Sequence, residues 1–213
     1  MLDGHSFSST AVVRGVAECR YCDRGKRIMD VALALLLLVP LCLVALGLLI
    51  VNPIGNRGPL LFRHQRMGRD CAPFIALKFR TMHATSVGGR GAFAPLEAAR
   101  ITALGRILRR FRLDELPQII NVLRGEMSMI GPRPDGYAHA LTYLRTVPAY
   151  RMRYQVLPGI SGLAQTEVGY VDTIAGLRRK VALDLHYLDR MSLRMDLWII
   201  WRTCIVVLRG AGC

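Results

Sequence analysis

The longest apolar stretch of the chain runs from Val31 to Val51 and contains 21 residues without a charge. At a helical rise of about 1.5 Å per residue, it is long enough to cross a hydrocarbon core of about 30 Å. Pro40 lies near its centre, and could instead divide it into two arms of about 15 Å each that dip to mid-bilayer and return. The pattern therefore predicts a membrane segment that is either spanning or re-entrant.

The charge distribution favours the re-entrant form. Arg24, Lys26 and Arg27 precede the apolar run, and residues 52–213 hold 24 Lys+Arg against 11 Asp+Glu. Basic segments stay on the cytoplasmic side of a membrane, and only a re-entrant segment keeps both of its ends there. However, the run contains no Ser or Thr to bond the carbonyl that Pro40 frees, and an unsatisfied carbonyl in lipid is unfavourable by several kcal/mol. A spanning helix therefore remains the alternative.

The rest of the chain alternates between short strand patterns and amphipathic helical patterns. Leu60–Phe62 and Phe74–Phe79 have strand character around a turn at Met67–Pro73. Residues 158–162 contain the pairs Pro-Gly and Ser-Gly, which indicate tight turns. Apolar residues at helical spacing predict helices at residues 96–112, 118–124, 136–154 with an interruption at Pro148, 177–190 and 193–208. The predicted fold class is α/β, mainly helical, with a small β element and with amphipathic helices at the membrane interface.

The composition restricts the partners of the protein. The 213 residues are 52% hydrophobic and have a formal net charge of +14, which suits anionic partners such as acidic lipids or nucleotides. Nucleic acid is disfavoured, because no binding motif is present and aromatic residues make up only 7%. The six cysteines have no framework spacing, and the pair Cys19 and Cys22 lacks a second pair for zinc. Free thiols in a reducing compartment are therefore expected.

The stretch from Arg109 to Pro134, RRFRLDELPQIINVLRGEMSMIGPRP, holds the candidate chemistry. Pro117 suits a first helical turn and Gly125 suits the position after a helix, so Asp114 is predicted to be the N-cap of the helix between them. The free N–H groups and the dipole of that helix end would favour an ionised Asp114 and would also attract a phosphate. Because two anions repel each other, attack on phosphorus would need a metal ion or several cations.

Arginines on both sides of the acidic pair could supply that positive charge. The two prolines around Arg133 fix their own φ angles, so this side chain is presented from a stiff backbone. The plainer alternative is that Asp114 only caps a helix and that the arginines form a solvated face. The local candidates are Arg109, Arg110, Arg112 and Arg133.

The same stretch closely resembles the signature of the bacterial sugar transferases, the small monotopic phosphoglycosyl transferases that begin polysaccharide or glycoprotein glycan assembly. The resemblance extends from Lys26 to Leu208, with further blocks in the order typical of the family. So many spaced blocks make the resemblance specific. They are Lys26-Arg27 with Asp30, Gln65-Arg66 with Gly68, Phe74, Lys78-Phe79-Arg80-Thr81-Met82, Ile101-Thr102, Gly105-Arg106, Leu108-Arg109, Pro158-Gly159-Ile160-Ser161-Gly162, Ala164-Gln165, Asp184, Tyr187, Ser192 and Asp196.

The resemblance implies an activity and a set of site residues. A sugar 1-phosphate would pass from a UDP-sugar to a polyprenyl phosphate such as undecaprenyl phosphate, with release of UMP and with Mg²⁺ as cofactor. Asp114 would be the nucleophile that forms a covalent aspartyl-phosphosugar. Glu115 would either position Mg²⁺ or manage the proton of the acceptor, so both carboxylates are candidate catalytic residues and metal ligands. Lys78, Arg109 and Arg133 would bind substrate phosphates.

The sequence and the resemblance together divide the chain into three parts. Residues 1–23 are predicted to be a flexible extension, residues 24–56 a re-entrant membrane helix, and residues 57–213 a catalytic domain. This domain is expected on the cytoplasmic face of the bacterial inner membrane, in contact with membrane lipids. No oligomeric state follows from the sequence. The alternative to an enzyme is a catalytically silent membrane scaffold with the same fold.

Overall fold

The computed structural model describes residues 24–56, 58–83, 91–94, 97–168 and 173–210. The predicted extension over residues 1–23 lies outside this range. The helices are α1 (Lys26–Gly55), α2 (Ala103–Arg110), α3 (Gln118–Leu123), α4 (Tyr137–Thr146), α5 (Leu163–Glu167), α6 (Ile174–Asp189) and α7 (Leu193–Leu208). Short 3₁₀ segments occur at Arg69–Cys71, Ala98–Arg100, Leu113–Glu115 and Pro148–Gln155.

The strands of the described residues form two small sheets. They are β1 (Leu61–Met67) and β2 (Pro73–Phe79), which make an antiparallel hairpin, and β3 (Ser128–Ile130) and β4 (Gly159–Ser161), which pair in parallel. The hairpin confirms the small β element predicted from the sequence. The prediction of simple tight turns at residues 158–162 was wrong, because β4 lies there. Two glycines permit its pairing with β3, since a Cβ atom on Gly159 would lie 2.1 Å from the nitrogen of Gly131.

The helix predictions are most accurate where caps, prolines or glycines define the ends. α7 has the predicted bounds and is capped by the hydroxyl of Ser192. The predicted interruption at Pro148 is confirmed, because α4 ends before it and a 3₁₀ segment begins there. Gly125 follows α3 with a φ of +79°, as expected for the residue after a helix. α6 begins at Ile174, three residues before the predicted start.

The helix predicted over residues 96–112 was wrong in extent. Its α-helical part is α2, which begins at Ala103. Thr102 Oγ1 accepts a hydrogen bond from the Gly105 backbone N–H at 2.9 Å and so caps the helix at this point. The apolar spacing that extends the pattern further towards the N-terminus therefore belongs to a different local structure.

Two apolar clusters form the core of the described structure. The first lies among β3, α4, α6, α7 and the segment Pro148–Gln155, with Leu188 and Ile199 fully buried. The second joins one face of α1 to Phe79 of β2 and Leu108 of α2, with α3 also packed against it. This second cluster attaches α1 to the elements that surround the acidic pair.

α1 is one helical element of 30 residues that continues through Pro40, so the predicted break is not confirmed. By length and composition it could cross a membrane. Ala34, Leu41 and Leu48 follow one another at heptad spacing and are buried in the second cluster. Most of the remaining apolar side chains of α1 are exposed, and a surface of this kind suits lipid better than water.

The start of α1 bonds to the domain that follows it in the chain. Lys26 Nζ lies 2.7 Å from Asp196 Oδ2, in an ion pair that is almost completely buried. Arg27 Nη1 donates to the backbone carbonyl of Val122 in α3 at 2.6 Å. The N-terminal end of the apolar helix is therefore fixed to α3 and α7.

The end of α1 bonds to the same domain. Asn52 Nδ2 donates to the carbonyl of Gly58 at 2.9 Å, and Asn56 Nδ2 donates to the carbonyl of Arg80 at 2.8 Å. Arg80 follows β2 directly, so the C-terminal end of α1 is fixed to the hairpin. Both ends of this helix thus contact the part of the protein that holds the acidic pair.

Candidate active site

Glu115 is the buried centre of a cluster of cations. Lys78 Nζ donates to Glu115 Oε1 at 2.7 Å, and Arg133 Nη1 donates to Oε2 at 2.9 Å. Arg133 Nη2 makes a second bond to Oε1, and Arg112 Nη1 lies 3.8 Å from Oε2. Burial alone would raise the pKa of Glu115, but the charges of Arg133 and Lys78 outweigh it and hold the pKa well below its ordinary value. Glu115 is therefore ionised and fully engaged.

Asp114 is adjacent in sequence but differs in its surroundings. It is buried, and among the described residues its carboxylate forms no ion pair or hydrogen bond. Burial raises the pKa of Asp114, and the charge of Glu115 adds to this effect against the opposing charge of Lys78. The acidic pair therefore consists of one carboxylate whose oxygens are occupied and one whose lone pairs are free.

The prediction that Asp114 is a helix N-cap was wrong. Pro117 occupies that position before α3, and no side chain caps this helix. Asp114 instead belongs to the separate 3₁₀ segment Leu113–Glu115, which follows Arg112 in a left-handed conformation with φ of 52°. The acidic pair therefore precedes α3 as a separate turn, from which Glu115 reaches Lys78 of the hairpin.

Arg109 acts on Asp114 through its charge, without a described contact between the two side chains. Arg109 Nε donates instead to Thr81 Oγ1 at 2.9 Å. Arg110 packs differently, since its guanidinium lies 5.7 Å from the centre of the Phe111 ring. Of the four arginines considered from the sequence, Arg112 and Arg133 pair with Glu115 and Arg109 acts on Asp114 through its charge. Among the described residues, Arg110 has no interaction with the acidic pair.

Arg66 is a site cation that the sequence analysis missed. It lies in β1, and its Nη1 donates to the carbonyl of Pro134. Burial, together with the charge of Arg133, lowers the pKa of Arg66 to about 10, so it stays charged at neutral pH. Its buried Nε has no hydrogen-bond partner in the described structure. Arg66 lies an even number of residues along β1 from the residue opposite Lys78, so both side chains are on the same face of the hairpin. This alternation was the signal available in the sequence.

Arg153 holds the backbone of the loop that presents Arg133. The Arg153 guanidinium is completely buried and donates to Asp184 Oδ2 at 2.8 Å through Nε and to Asp135 Oδ2 at 2.5 Å through Nη1. Its Nη2 also donates to the backbone carbonyl of Arg133 at 2.8 Å. Lys180 Nζ adds a bond to Asp135 Oδ1 at 2.6 Å. These bonds fix the backbone from which Arg133 reaches Glu115.

The carboxylates available to a metal ion are few. The described residues include no cluster of three or more His, Cys, Asp or Glu side chains that could hold one. Asp114 and Glu115 were predicted as ligands, but the oxygens of Glu115 are bonded to Lys78 and Arg133. Asp114 alone offers free lone pairs, which fits Mg²⁺ only if substrate phosphates supply further oxygens, as is common for this ion.

The fold and the site first define a class: a mainly helical protein in which a long apolar helix adjoins a buried, cation-rich site suited to phosphates. A model of the bacterial sugar transferase family matches residues 21–210. The chain therefore belongs to the bacterial sugar transferase family, as its sequence blocks indicated.

Curated relatives extend over most of the chain. UDP-glucose:undecaprenyl-phosphate glucose-1-phosphate transferase of Caulobacter vibrioides is 44% identical over 187 residues, which cover 85% of this chain and 68% of the relative. The Escherichia coli K12 protein of the same name is 40% identical over 187 residues, which cover 86% of this chain and 39% of the relative. UDP-N-acetylgalactosamine-undecaprenyl-phosphate N-acetylgalactosaminephosphotransferase of Aeromonas hydrophila is 36% identical over 192 residues, which cover 90% of this chain and 45% of the relative. The chain thus spans less than half the length of the latter two.

The different surroundings of the two carboxylates lead to a stability prediction. Glu115→Gln should lower the free energy of unfolding by about 2 kcal/mol, because it leaves Lys78 and Arg133 buried without their counter-charge. Asp114→Asn should leave stability unchanged or increase it, since a raised pKa means that folding disfavours the ionised form present at neutral pH. Urea unfolding in detergent at pH 7, followed by circular dichroism, measures both changes.

Acidification provides the control for this comparison. Because the folded pKa of Glu115 is depressed, its stabilising contribution is present above the ordinary value of about 4.3 and is lost as the pH falls below it. The difference between wild type and Glu115→Gln should therefore narrow below about pH 4. Equal losses of stability in Glu115→Gln and Asp114→Asn at pH 7 would contradict the conclusion that only Glu115 is paired with buried cations.

Proposed function

We propose that the protein transfers a sugar 1-phosphate from a UDP-sugar to undecaprenyl phosphate and releases UMP. The names of the Caulobacter, Escherichia and Aeromonas relatives describe such transfers to undecaprenyl phosphate. The observation that carries the proposal is the free, buried carboxylate of Asp114 beside a carboxylate that holds two cations in place. A desolvated carboxylate among fixed cations suits attack on a phosphate.

The proposed reaction has two displacement steps at one phosphorus atom. In the first, an oxygen of Asp114 forms a bond to the β-phosphorus of the UDP-sugar, and the bond from that phosphorus to the bridging oxygen breaks, so that UMP leaves. In the second, a phosphate oxygen of the acceptor attacks the same phosphorus and releases the Asp114 carboxylate. With the acceptor as a dianion, charges balance in both steps and no net proton transfer is needed. Ping-pong kinetics are the expected result.

Cations around the acidic pair lower the repulsion between the attacking carboxylate and the phosphates. Lys78, Arg109 and Arg133 are the proposed phosphate-binding residues, and Arg66 adds a further charge nearby. Glu115 acts through them, because it is ionised and orients Lys78 and Arg133. In this proposal Glu115 is a positioning residue and has no role in proton transfer.

Mg²⁺ belongs to the proposal as a partner of the nucleotide. Its chemistry would be to neutralise the pyrophosphate and the departing UMP. Asp114 is the carboxylate with free oxygens to contact such an ion, while the bonds of Glu115 to Lys78 and Arg133 leave it poorly suited as a ligand.

The proposal includes a re-entrant rather than a spanning α1. A straight helix of its length would separate its ends by about 45 Å. Yet Arg27 bonds to Val122 in α3 and Asn56 bonds to the residue after β2, and α3 and β2 are themselves joined. That joint is the side chain of Asn121, which accepts from the Leu77 N–H at 3.0 Å and donates to the Ile75 carbonyl at 2.7 Å. Ends held so closely to one domain favour two arms that enter and leave the same membrane face.

The nucleophile prediction is tested by trapping. Wild-type protein incubated with a donor labelled in its β-phosphate should retain label as a phosphosugar adduct on Asp114, and should release UMP before acceptor is added. Asp114→Asn should form no adduct and lose at least about a thousandfold in turnover, because the amide cannot act as the nucleophile. Mass spectrometry of the trapped protein and a UMP-release assay across a panel of UDP-sugars measure both effects.

The control is that Asp114→Asn folds like wild type, as judged by its unfolding curve. Turnover at background level in both proteins with every donor would instead support the catalytically silent scaffold. Full turnover of Asp114→Asn without an adduct would contradict the covalent mechanism.

The pKa of Lys78 gives a pH prediction. Burial lowers this pKa to about 8, against the opposing charge of Glu115. Phosphate binding by the ammonium should weaken as it loses its proton, so KM for the UDP-sugar should rise about tenfold between pH 7 and pH 9. In Lys78→Arg the guanidinium stays charged, so KM should start from a different value but remain flat over this range. The same alkaline rise in both proteins would show that another group is responsible.

Thiol labelling tests the re-entrant helix. In a background without native cysteines, Ile28→Cys and Ile54→Cys place thiols at the two ends of α1, where the native side chains are 70% and 83% exposed. A membrane-impermeant reagent should label both only in inverted vesicles, like a Gln65→Cys reference on the hairpin. Labelling of Ile28→Cys from the periplasmic side of spheroplasts would establish a spanning helix instead.

A further inference from the structure

One face of the β1–β2 hairpin carries an aromatic side chain beside the phosphate-binding cations. Phe62 lies directly opposite Lys78 in the strand register, and His64 lies opposite Ala76. Directly opposite residues project to the same face with Cβ atoms about 5 Å apart, and residues two apart in a strand share a face. Phe62 and His64 therefore stand on the face from which Lys78 reaches Glu115 at 2.7 Å.

The rings of Phe62 and His64 form a pair with a partly open surface. Their centroids are 5.7 Å apart with a 43° angle between the ring planes. Phe62 is 49% exposed, whereas Phe79 of the same hairpin is buried. Burial, together with the charges of Arg66 and Lys78, lowers the pKa of His64 to about 4. The imidazole is therefore neutral at physiological pH and has one N–H donor and one acceptor nitrogen.

We propose that Phe62 and His64 form the binding site for the uracil base of the donor nucleotide. This inference rests on the proposed function, in which Lys78, Arg109 and Arg133 bind the substrate phosphates. The base of a nucleoside diphosphate lies one ribose away from those phosphates, and Phe62 is the exposed aromatic ring beside Lys78. Stacking of a base on an aromatic ring is favourable for any base, while a neutral imidazole can bond to the polar edge of a pyrimidine.

The surroundings of Phe62 favour a base over the hydrocarbon chain of the acceptor. The same hairpin face carries Arg66 and Lys78, and His139 lies near enough to His64 for its charge to act there. These groups are cationic or polar and match the polar edge and phosphates of a nucleotide. An isoprenoid chain gains nothing from them, whereas the exposed surface of α1 is apolar along most of its length.

Phe62→Ala tests the inference, with Leu61→Ala as the matched control. Leu61 is 41% exposed and lies on the opposite face of the same strand. Phe62→Ala should raise KM for the UDP-sugar and the dissociation constant of UMP about tenfold, with KM for undecaprenyl phosphate changed less than about twofold. Phe62→Trp should stay close to wild type because it keeps a stacking surface. Leu61→Ala should bind UMP like wild type.

The outcomes separate this inference from the proposed function. UMP binding is measured by calorimetry in detergent, independently of turnover, after unfolding curves show that the variants fold. Equal UMP binding by wild type and Phe62→Ala, or a change in KM for undecaprenyl phosphate alone, would overturn the base site. In either case adduct formation on Asp114 would still support the transferase. Absence of UMP binding to wild type would overturn the base site, whereas failure of the adduct and turnover assays would overturn the transferase.

Discussion

The capture of several cations by the single buried carboxylate of Glu115 is the interaction on which the site depends. Lys78 comes from the hairpin, Arg112 from the turn after α2 and Arg133 from the loop after β3. A buried ion pair adds little net stability compared with an apolar core, but the loss of one partner is strongly unfavourable. We therefore interpret Glu115 as the residue that specifies how these three segments meet. Its neighbour Asp114 then lies unpaired among cations whose positions are already fixed, which is the electrostatic preorganisation that phosphate chemistry requires.

A second layer of buried charge maintains this arrangement. Arg153 is held by Asp135 and Asp184, and its guanidinium carbon also lies 5.0 Å and 5.4 Å from the ring centroids of Tyr150 and Tyr154. Through its bond to the Arg133 carbonyl it links the site to the first apolar cluster. The second cluster and the bonds at both ends of α1 link the site to the apolar helix. The acidic pair is therefore connected to the first apolar cluster on one side and to the apolar helix α1 on the other.

The sequence predicted most of this where local chemistry decides the outcome. Ser192 starts a helix, Pro148 interrupts one and Gly125 ends one, since each of these residues acts within its own turn. Asp114 was misassigned as a cap because the left-handed Arg112, which redirects the chain before it, has no signature in the sequence. The β3–β4 pairing joins segments about 30 residues apart in sequence and depends on the close approach of two glycine backbones, which propensities cannot predict. Arg66 was recognised only as part of a block, because its contact with the Pro134 carbonyl is made by tertiary folding.

The same cations can serve Glu115 and a substrate at one time. An ammonium has three N–H donors and a guanidinium has five, and the bonds to Glu115 use only some of those on Lys78 and Arg133. In the proposed reaction a phosphate could therefore approach without displacing Glu115, and the arrangement that Glu115 specifies would persist with substrate bound. Both ends of α1 bond to the domain around this site, so in the proposed membrane arrangement the depth of α1 would also set the depth of Asp114. A lipid-linked phosphate held at the membrane surface and a nucleotide from water could then reach one carboxylate in turn, which is the geometric requirement of a two-step transfer.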